Sequence, residues 1–259
     1  KLAKGVKPGL NRNEVYDLIV TIPPILEQKK IARNLNKVSV LIGKRKESIN
    51  LFDQYLRNVF LGMFGDPVLN TKDWKVLKLK DLGTLERGKS KHRPRNAPEL
   101  LGGEHPLIQT GDVSNAGTYI ETYSSTYSDL GLSQSKKWPK GTLCITIAAN
   151  IAKTGILTFD ACFPDSVVGF TPDEKLTSNE FMLFWMSFLQ KSLEEMAPES
   201  AQKNINLEIL RKLNVIVPPI DLQEKFTQKV RKVELLKKKQ KEQLSFLNEL
   251  LSSKMSNLV

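Results

Sequence analysis

The hydrophobic pattern of this chain changes period twice. From Ile31 onward apolar residues recur at alternating spacings of four and three: Ile31, Leu35, Val38, Ile42, Ile49, Phe52, Leu56, Val59 and Met63. That is heptad spacing, which predicts a long helix with a coiled-coil seam. The spacing returns near the end with Phe226, Val230, Val233, Leu244, Leu247, Leu251 and Leu258. Between the two lie short strand-like runs at Trp74–Leu79, Pro106–Gln109 and Gly141–Ala148. Gly155–Phe159 and Ser166–Phe170 follow at hairpin-like spacing. One clear helix is expected here, Ser178–Met196, with Phe181, Leu183, Phe184, Phe188 and Leu189 on a broad apolar face. Ser178 is its expected cap and Glu180 lies in its first turn. A second cap candidate, Asp81, precedes no strong helical pattern.

The two heptad stretches are copies of one segment. Asn11–Phe64 aligns without a gap on Asn206–Val259, 195 residues downstream. Ile22-Pro23-Pro24-Ile25 falls on Val217-Pro218-Pro219-Ile220, and Gln28, Val38, Leu41 and Lys46 fall on Gln223, Val233, Leu236 and Lys241. Each copy opens with a β-type run, Leu18–Ile22 and Leu213–Val217, which the Pro-Pro pair ends because proline cannot donate to a sheet ladder. Polar residues interrupt both seams near the middle: Arg45 in one, Lys237 and Gln240 in the other. At 1.5 Å per residue, some 34 helical residues make a rod of roughly 50 Å. The rods are joined to one central region by opposite ends, so seams that meet must run antiparallel. The competing reading is two amphipathic core helices of one globule.

The expected fold class is therefore α+β: a compact domain with mixed and antiparallel strands, plus two long helices packing as an antiparallel coiled coil. The expected divisions are 1–21, 22–65, 66–205 and 206–259. The central region holds all three tryptophans, Trp74, Trp138 and Trp185. With 259 residues, 40% of them hydrophobic, the chain can bury one ordinary core plus an extended part. No apolar run approaches the roughly 18 residues that span a membrane, and Cys144 and Cys162 are too few for a disulfide framework. A cytoplasmic setting fits this usage. The net charge of +11 and pI near 9.5 suit a polyanionic partner, though lysine-rich helices alone produce the same balance.

Several motifs compete for the chemistry. Gly83–Ser90 matches G-x-x-x-x-G-K-S, the phosphate-cradling loop, and Ile156–Asp160 has the look of its partner strand. Such a loop needs its Lys-Ser to open a helix, whereas Pro94 and Pro98 follow here and Glu86 adds negative charge. The Pro-Pro pairs lack the flanking polar and aromatic residues of amino-methyltransferase motifs. Pro164-Asp165 with Asp173-Glu174-Lys175 faintly resembles a nuclease metal site at short spacing. No catalytic constellation, metal cluster or cofactor loop emerges, so neither cofactor nor metal is expected. What remains suits DNA. Arg87, Lys89, Lys91, His92, Arg93 and Arg95 lie within nine residues; Arg reads guanine bidentately and Lys contacts chiefly phosphate. Thr110 and Asp112, Asn150 and Lys153, and Gln202, Lys203 and Asn204 add groups that read base edges or make turns.

The order of these motifs resembles the specificity subunit of type I restriction-modification systems. The resemblance is carried by Ile22–Gln28 and Val217–Gln223, each opening a long helix, and by Trp74–Leu82 running into Arg87–Ser90. Ile108–Val113, Pro139–Leu143 and Ile147–Gly155 continue it. It implies a non-catalytic subunit in which target-recognition domains each read half of a bipartite double-stranded DNA site. Conserved helices set the spacing of the halves and dock the modification (methyltransferase) subunits, which support the restriction subunit. Only one recognition domain is present here. Lys4–Asn11 matches the tail of another, as Ala197–Asn206 does downstream, so the chain reads as the C-terminal part of a longer subunit. Self-association through the helices is a way to rebuild a two-domain reader. A coiled-coil adaptor that binds protein is the alternative, and a P-loop nucleotide-binding protein is the remote one.

Overall fold

A computed structural model describes residues 12–17, 22–148, 151–196 and 205–256. In chain order the helices are α1 (Arg12–Tyr16), α2 (Ile25–Phe64), α3 (Thr110–Asn115), α4 (Asp129–Ser133), α5 (Asn179–Met196), α6 (Leu207–Arg211) and α7 (Ile220–Ser256). The strands are β1 (Lys75–Lys78), β2 (Gly83–Arg87), β3 (Leu101–Leu107), β4 (Tyr119–Ile120), β5 (Ser125–Tyr127) and β6 (Lys137–Trp138). They continue with β7 (Leu143–Thr146), β8 (Thr154–Leu157), β9 (Ala161–Cys162), β10 (Val167–Pro172) and β11 (Asn214–Val217). The expected α+β class holds. The run Leu18–Ile22 falls, but for Ile22, outside the described residues, as does Leu258.

Three sheets form. A five-stranded sheet has the order β2-β10-β7-β8-β4, antiparallel except where β4 runs parallel to β8. A four-stranded sheet has the order β5-β3-β9-β6, and β1 pairs antiparallel with β11. This corrects the hairpin expected from β8 and β10: β7 lies between them, because the apolar Leu143–Thr146 is buried on both faces and accepts a partner on each side. Ser178 caps α5 as expected, accepting from the Phe181 N–H at 3.3 Å.

The chain divides into two compact units, the larger being Ile49–Lys239. Its core gathers the ends of the repeat helices against α5. Phe60 lies 5.5 Å, centroid to centroid, from both Phe181 and Phe226, and Phe64 lies 5.0 Å from Phe181. Phe60 and Phe64 are fully buried, so from Leu56 the covered face advances by fours, Leu56, Phe60, Phe64, leaving Val59 and Met63 half-buried. A true helix has 3.6 residues per turn, and its stripe drifts off a strict heptad once a domain core replaces the partner helix. Polar ties join α7 to the sheets. Glu180, buried, accepts from Tyr119 Oη at 2.9 Å and Arg231 Nε at 3.1 Å, and Thr118 Oγ1 donates to Glu234 at 2.7 Å. Lys237 Nζ donates to Asp53 at 2.7 Å and Glu234 at 2.9 Å. Pairing of Asp53 with Lys237 and of Phe60 with Phe226 makes α2 and α7 antiparallel within this unit.

The smaller unit comprises residues up to Ser48 together with those from Gln240. Ile31, Leu35 and Val38 are half-buried and Ile42 buried, while Leu244, Leu247 and Leu251 are half-buried on the other helix. The seam interruption is resolved inside it: Arg45 Nη1 donates to Gln240 Oε1 at 2.6 Å. These two residues occupy the same place in the two copies, 195 residues apart. A second bond is repeated as well. Gln28 Nε2 donates to Pro23 O at 2.7 Å, as Gln223 Nε2 does to Pro218 O at 2.9 Å. Gln223 is buried and also bonds Leu176 O, Thr177 Oγ1 and the Ser178 N–H, which seats the central domain on the start of α7.

Candidate nucleic-acid interface

The basic run lies where β2 leaves the five-stranded sheet. Arg87, Val168, Ile145 and Thr154 form one cross-strand row, so the end of β2, the 163–167 turn and the β7–β8 turn share one end of the sheet. Lys153 belongs to that last turn, half-buried, with its N–H bonded to Thr146 Oγ1 at 3.0 Å. Arg87, Lys89, Lys91, His92, Arg93 and Arg95 are all exposed. The loop that carries them is pinned from below. The Gly88 N–H donates to Val167 O at 2.8 Å, and a Cβ on Gly88 would lie 2.2 Å from Pro164 O, so only glycine fits. Gln134 Oε1 accepts from the backbone N–H of Lys91 at 2.6 Å and of His92 at 3.1 Å, while Ser135 Oγ donates to Lys89 O at 2.8 Å.

The arginines converge on one acid. Arg87 Nε donates to the Asp165 carbonyl, Arg93 Nη2 lies 3.6 Å from Asp165 Oδ2, and Arg95 Nη2 lies 2.5 Å from Oδ1. Oδ1 is buried and meets Arg95 as an ion pair without the alignment of a hydrogen bond. Arg93 Nη1 also donates to Ser90 O at 2.6 Å and His92 O at 2.8 Å. Beside the loop, Lys136 pairs with Glu86 and lies 5.1 Å over the Trp138 ring. The ammonium groups of Lys89 and Lys91 have no polar partner among the described residues.

The other candidates divide. Asp112 acts at the start of α3: its Oδ2 accepts from the Gln109 N–H at 2.8 Å and Ser124 Oγ at 3.3 Å, and Thr110 O accepts from Ser114 Oγ at 2.7 Å. This is the turn chemistry that the residue types also allowed. Ile108 N–H bonds Cys162 O at 2.8 Å, which places the approach to α3 on the strand leading into the 163–167 turn. Asn150, Gln202, Lys203 and Asn204 lie outside the described residues. Local sequence gave no signal for Gln134, Ser135, Lys136 or Asp165 as partners of the loop, because they reach it only through the sheet.

The phosphate-loop reading fails on geometry. Gly83–Arg87 is strand β2, and Lys89-Ser90 sit in irregular backbone, with no helix N-terminus to face a phosphate. The faint nuclease grouping fails too. Asp165 and Asp173 flank opposite ends of β10, whose six residues span roughly 20 Å.

A compact α+β domain with a clamped basic loop, together with two copies of one helical segment, defines the class of this protein. The type I restriction modification DNA specificity domain matches residues 71–246, and the chain belongs to that family. It is 21% identical over 266 residues to the Methanocaldococcus jannaschii protein described as a type I restriction enzyme MjaX specificity subunit. That alignment takes in 95% of this chain and 61% of the relative. To the Escherichia coli EcoBI specificity subunit it is 22% identical, over 88% of this chain and 53% of the relative. A solved structure described under complex assembly and conformational transition of the type I restriction-modification system matches at a TM-score of 0.65 and 17% identity. It covers 98% of this chain and 64% of the other. The chain thus spans little more than half to two thirds of the proteins it matches.

Proposed function

We propose that this chain is a non-catalytic specificity component of a type I restriction-modification system. Residues 66–205 form a target-recognition domain that reads one half of a bipartite double-stranded DNA site. The observation that carries the reading is the gathering of six exposed basic side chains at one sheet end, on a backbone fixed by Gln134, Ser135 and the 163–167 turn. Such a surface holds arginines in register for guanine edges while lysines meet phosphate. The helical arms then serve protein. Val40 and Leu41 on α2, and their repeat equivalents Leu235 and Leu236 on α7, are exposed, as are Leu51 and its equivalent Phe246. Exposed apolar side chains repeated at matching positions suit modification subunits, through which the restriction subunit is engaged. The repeated Gln28–Pro23 bond supports a second recognition domain, or a second copy, at the first arm. The setting that suits these partners is cytoplasmic.

The test is selection from a random duplex library, with and without a modification subunit, followed by sequencing. The expected result is a short enriched half-site. Paired half-sites at fixed spacing are the signature of two copies acting together. A flat library in both conditions would refute DNA reading by this chain.

A further inference from the structure

Asp165 pairs with two of the loop's arginines and sits on a turn anchored by backbone bonds and a stacked ring. Val167 N–H donates to Pro164 O at 3.0 Å, the Gly88 N–H donates to Val167 O, and Phe163 stacks on Trp138 at 3.9 Å. The acid is therefore fixed, whereas Arg93 and Arg95 extend from exposed backbone, with side chains 54% and 46% exposed. A carboxylate offers a guanidinium nearly the same planar, charged pair of oxygens as a DNA phosphate does.

We propose that Asp165 is an autoinhibitory contact, a built-in phosphate mimic that holds Arg93 and Arg95 until DNA displaces it. The inference rests on the reading of this loop as a DNA contact. Its physics is a competition. An exposed ion pair is worth at most about fivefold in an equilibrium constant, so the clamp opens readily. A screened phosphate contact gains little by opening it, because it exchanges one anion for another. A bidentate contact to a matching guanine is worth about fivefold to a hundredfold and outcompetes the acid. Asp165 thus lowers affinity for the matching sequence by the whole clamp energy, and for other sequences by no more than the phosphate contact it withholds.

The experiment compares the full chain with Asp165→Asn, Asp165→Glu, Arg93→Gln and Arg95→Gln, with the modification subunit present throughout. Affinity is measured for a fixed random-sequence duplex and for the library-selected duplex, alongside thermal stability. Asp165→Asn is expected to bind the selected duplex about two- to fivefold more tightly and the random duplex by a smaller factor. Asp165→Glu restores the parent affinities, and Asp165→Asn has no effect once both arginines are Gln. A merely structural acid gives the opposite sign, with weaker binding to both duplexes and a lower melting temperature, and that result overturns the proposal. If the arginine variants weaken binding while Asp165→Asn changes nothing, the clamp alone is wrong. If the arginine variants change nothing, or the chain binds neither duplex, the DNA reading of the loop falls and the clamp with it.

Discussion

Buried titratable side chains set how this protein responds to alkali. Burial pushes the Cys144 thiol well above its usual range, and burial together with Glu180 does the same for Tyr119. Burial works to lower Lys237, but Asp53 and Glu234 outweigh it and the ammonium is held above its ordinary value. All three groups bind protons more tightly folded than unfolded. Their stabilisation is therefore complete below the unfolded-state values and is lost as pH rises through the folded ones. Burial raises the Cys162 thiol as well, so urea midpoints are expected to fall from roughly pH 9 upward. Cys144→Ala together with Cys162→Ala is expected to delay the onset by about one pH unit, towards the Tyr and Lys range. A midpoint flat to pH 11 would contradict this. Lys237→Ala leaves the half-buried Glu234 without its cation and is expected to cost about 2 kcal/mol in urea unfolding. At this scale the sequence was only partly legible. The basic run was visible because its residues are contiguous. Asp165 was not, because about 70 residues and the strands β3 to β9 lie in sequence between it and Arg95.

At the scale of elements, what was legible depended on how far each pattern is set locally. The heptads as far as Leu56, the second Pro-Pro stop and the capped α5 are fixed by neighbours a few residues apart, and they appear where their patterns place them. Strand β2 was hidden inside a phosphate-loop pattern, and β3 begins at Leu101-Gly102-Gly103, a glycine-rich start with no β signature. Both are strands because a partner supplies the ladder: β10 for β2, β5 and β9 for β3. Among the helices, the Arg45–Gln240 bond is a polar pair in an apolar seam, which fixes register at some cost in stability. Arg45→Leu with Gln240→Leu is expected to raise the melting temperature of the arms, by about 1 kcal/mol of stability, while either change alone lowers it. Phe246→Glu and Leu236→Glu alter exposed faces. They are expected to weaken capture of the modification subunit at least tenfold while shifting stability by less than about 0.5 kcal/mol, as pull-down and melting would show.

Over the whole molecule, positive charge is unevenly placed. Residues 66–205 hold sixteen Lys and Arg against seventeen Asp and Glu, whereas the remaining residues hold twenty-three against eleven. Residues 66–205 are nearly neutral, with the proposed DNA-contacting cations gathered in one loop. Five of them are Arg or Lys, so the slope of log affinity against log salt is expected to be no steeper than about −4.5. Titration at several salt concentrations checks this, and a slope near −10 would bring the lysines of the arms onto the duplex as well. The bond between Arg45 and Gln240 has a further consequence at this scale, as a gauge of length. It ties repeat-equivalent points, so the arms can be lengthened without losing it only by equal insertions in both. Seven residues added to each arm on one side of that bond extend it by about 10.5 Å, close to the rise of three base pairs. A reader rebuilt with two recognition domains on such arms would then prefer half-sites three base pairs further apart, and an insertion in one arm alone would abolish any preferred gap.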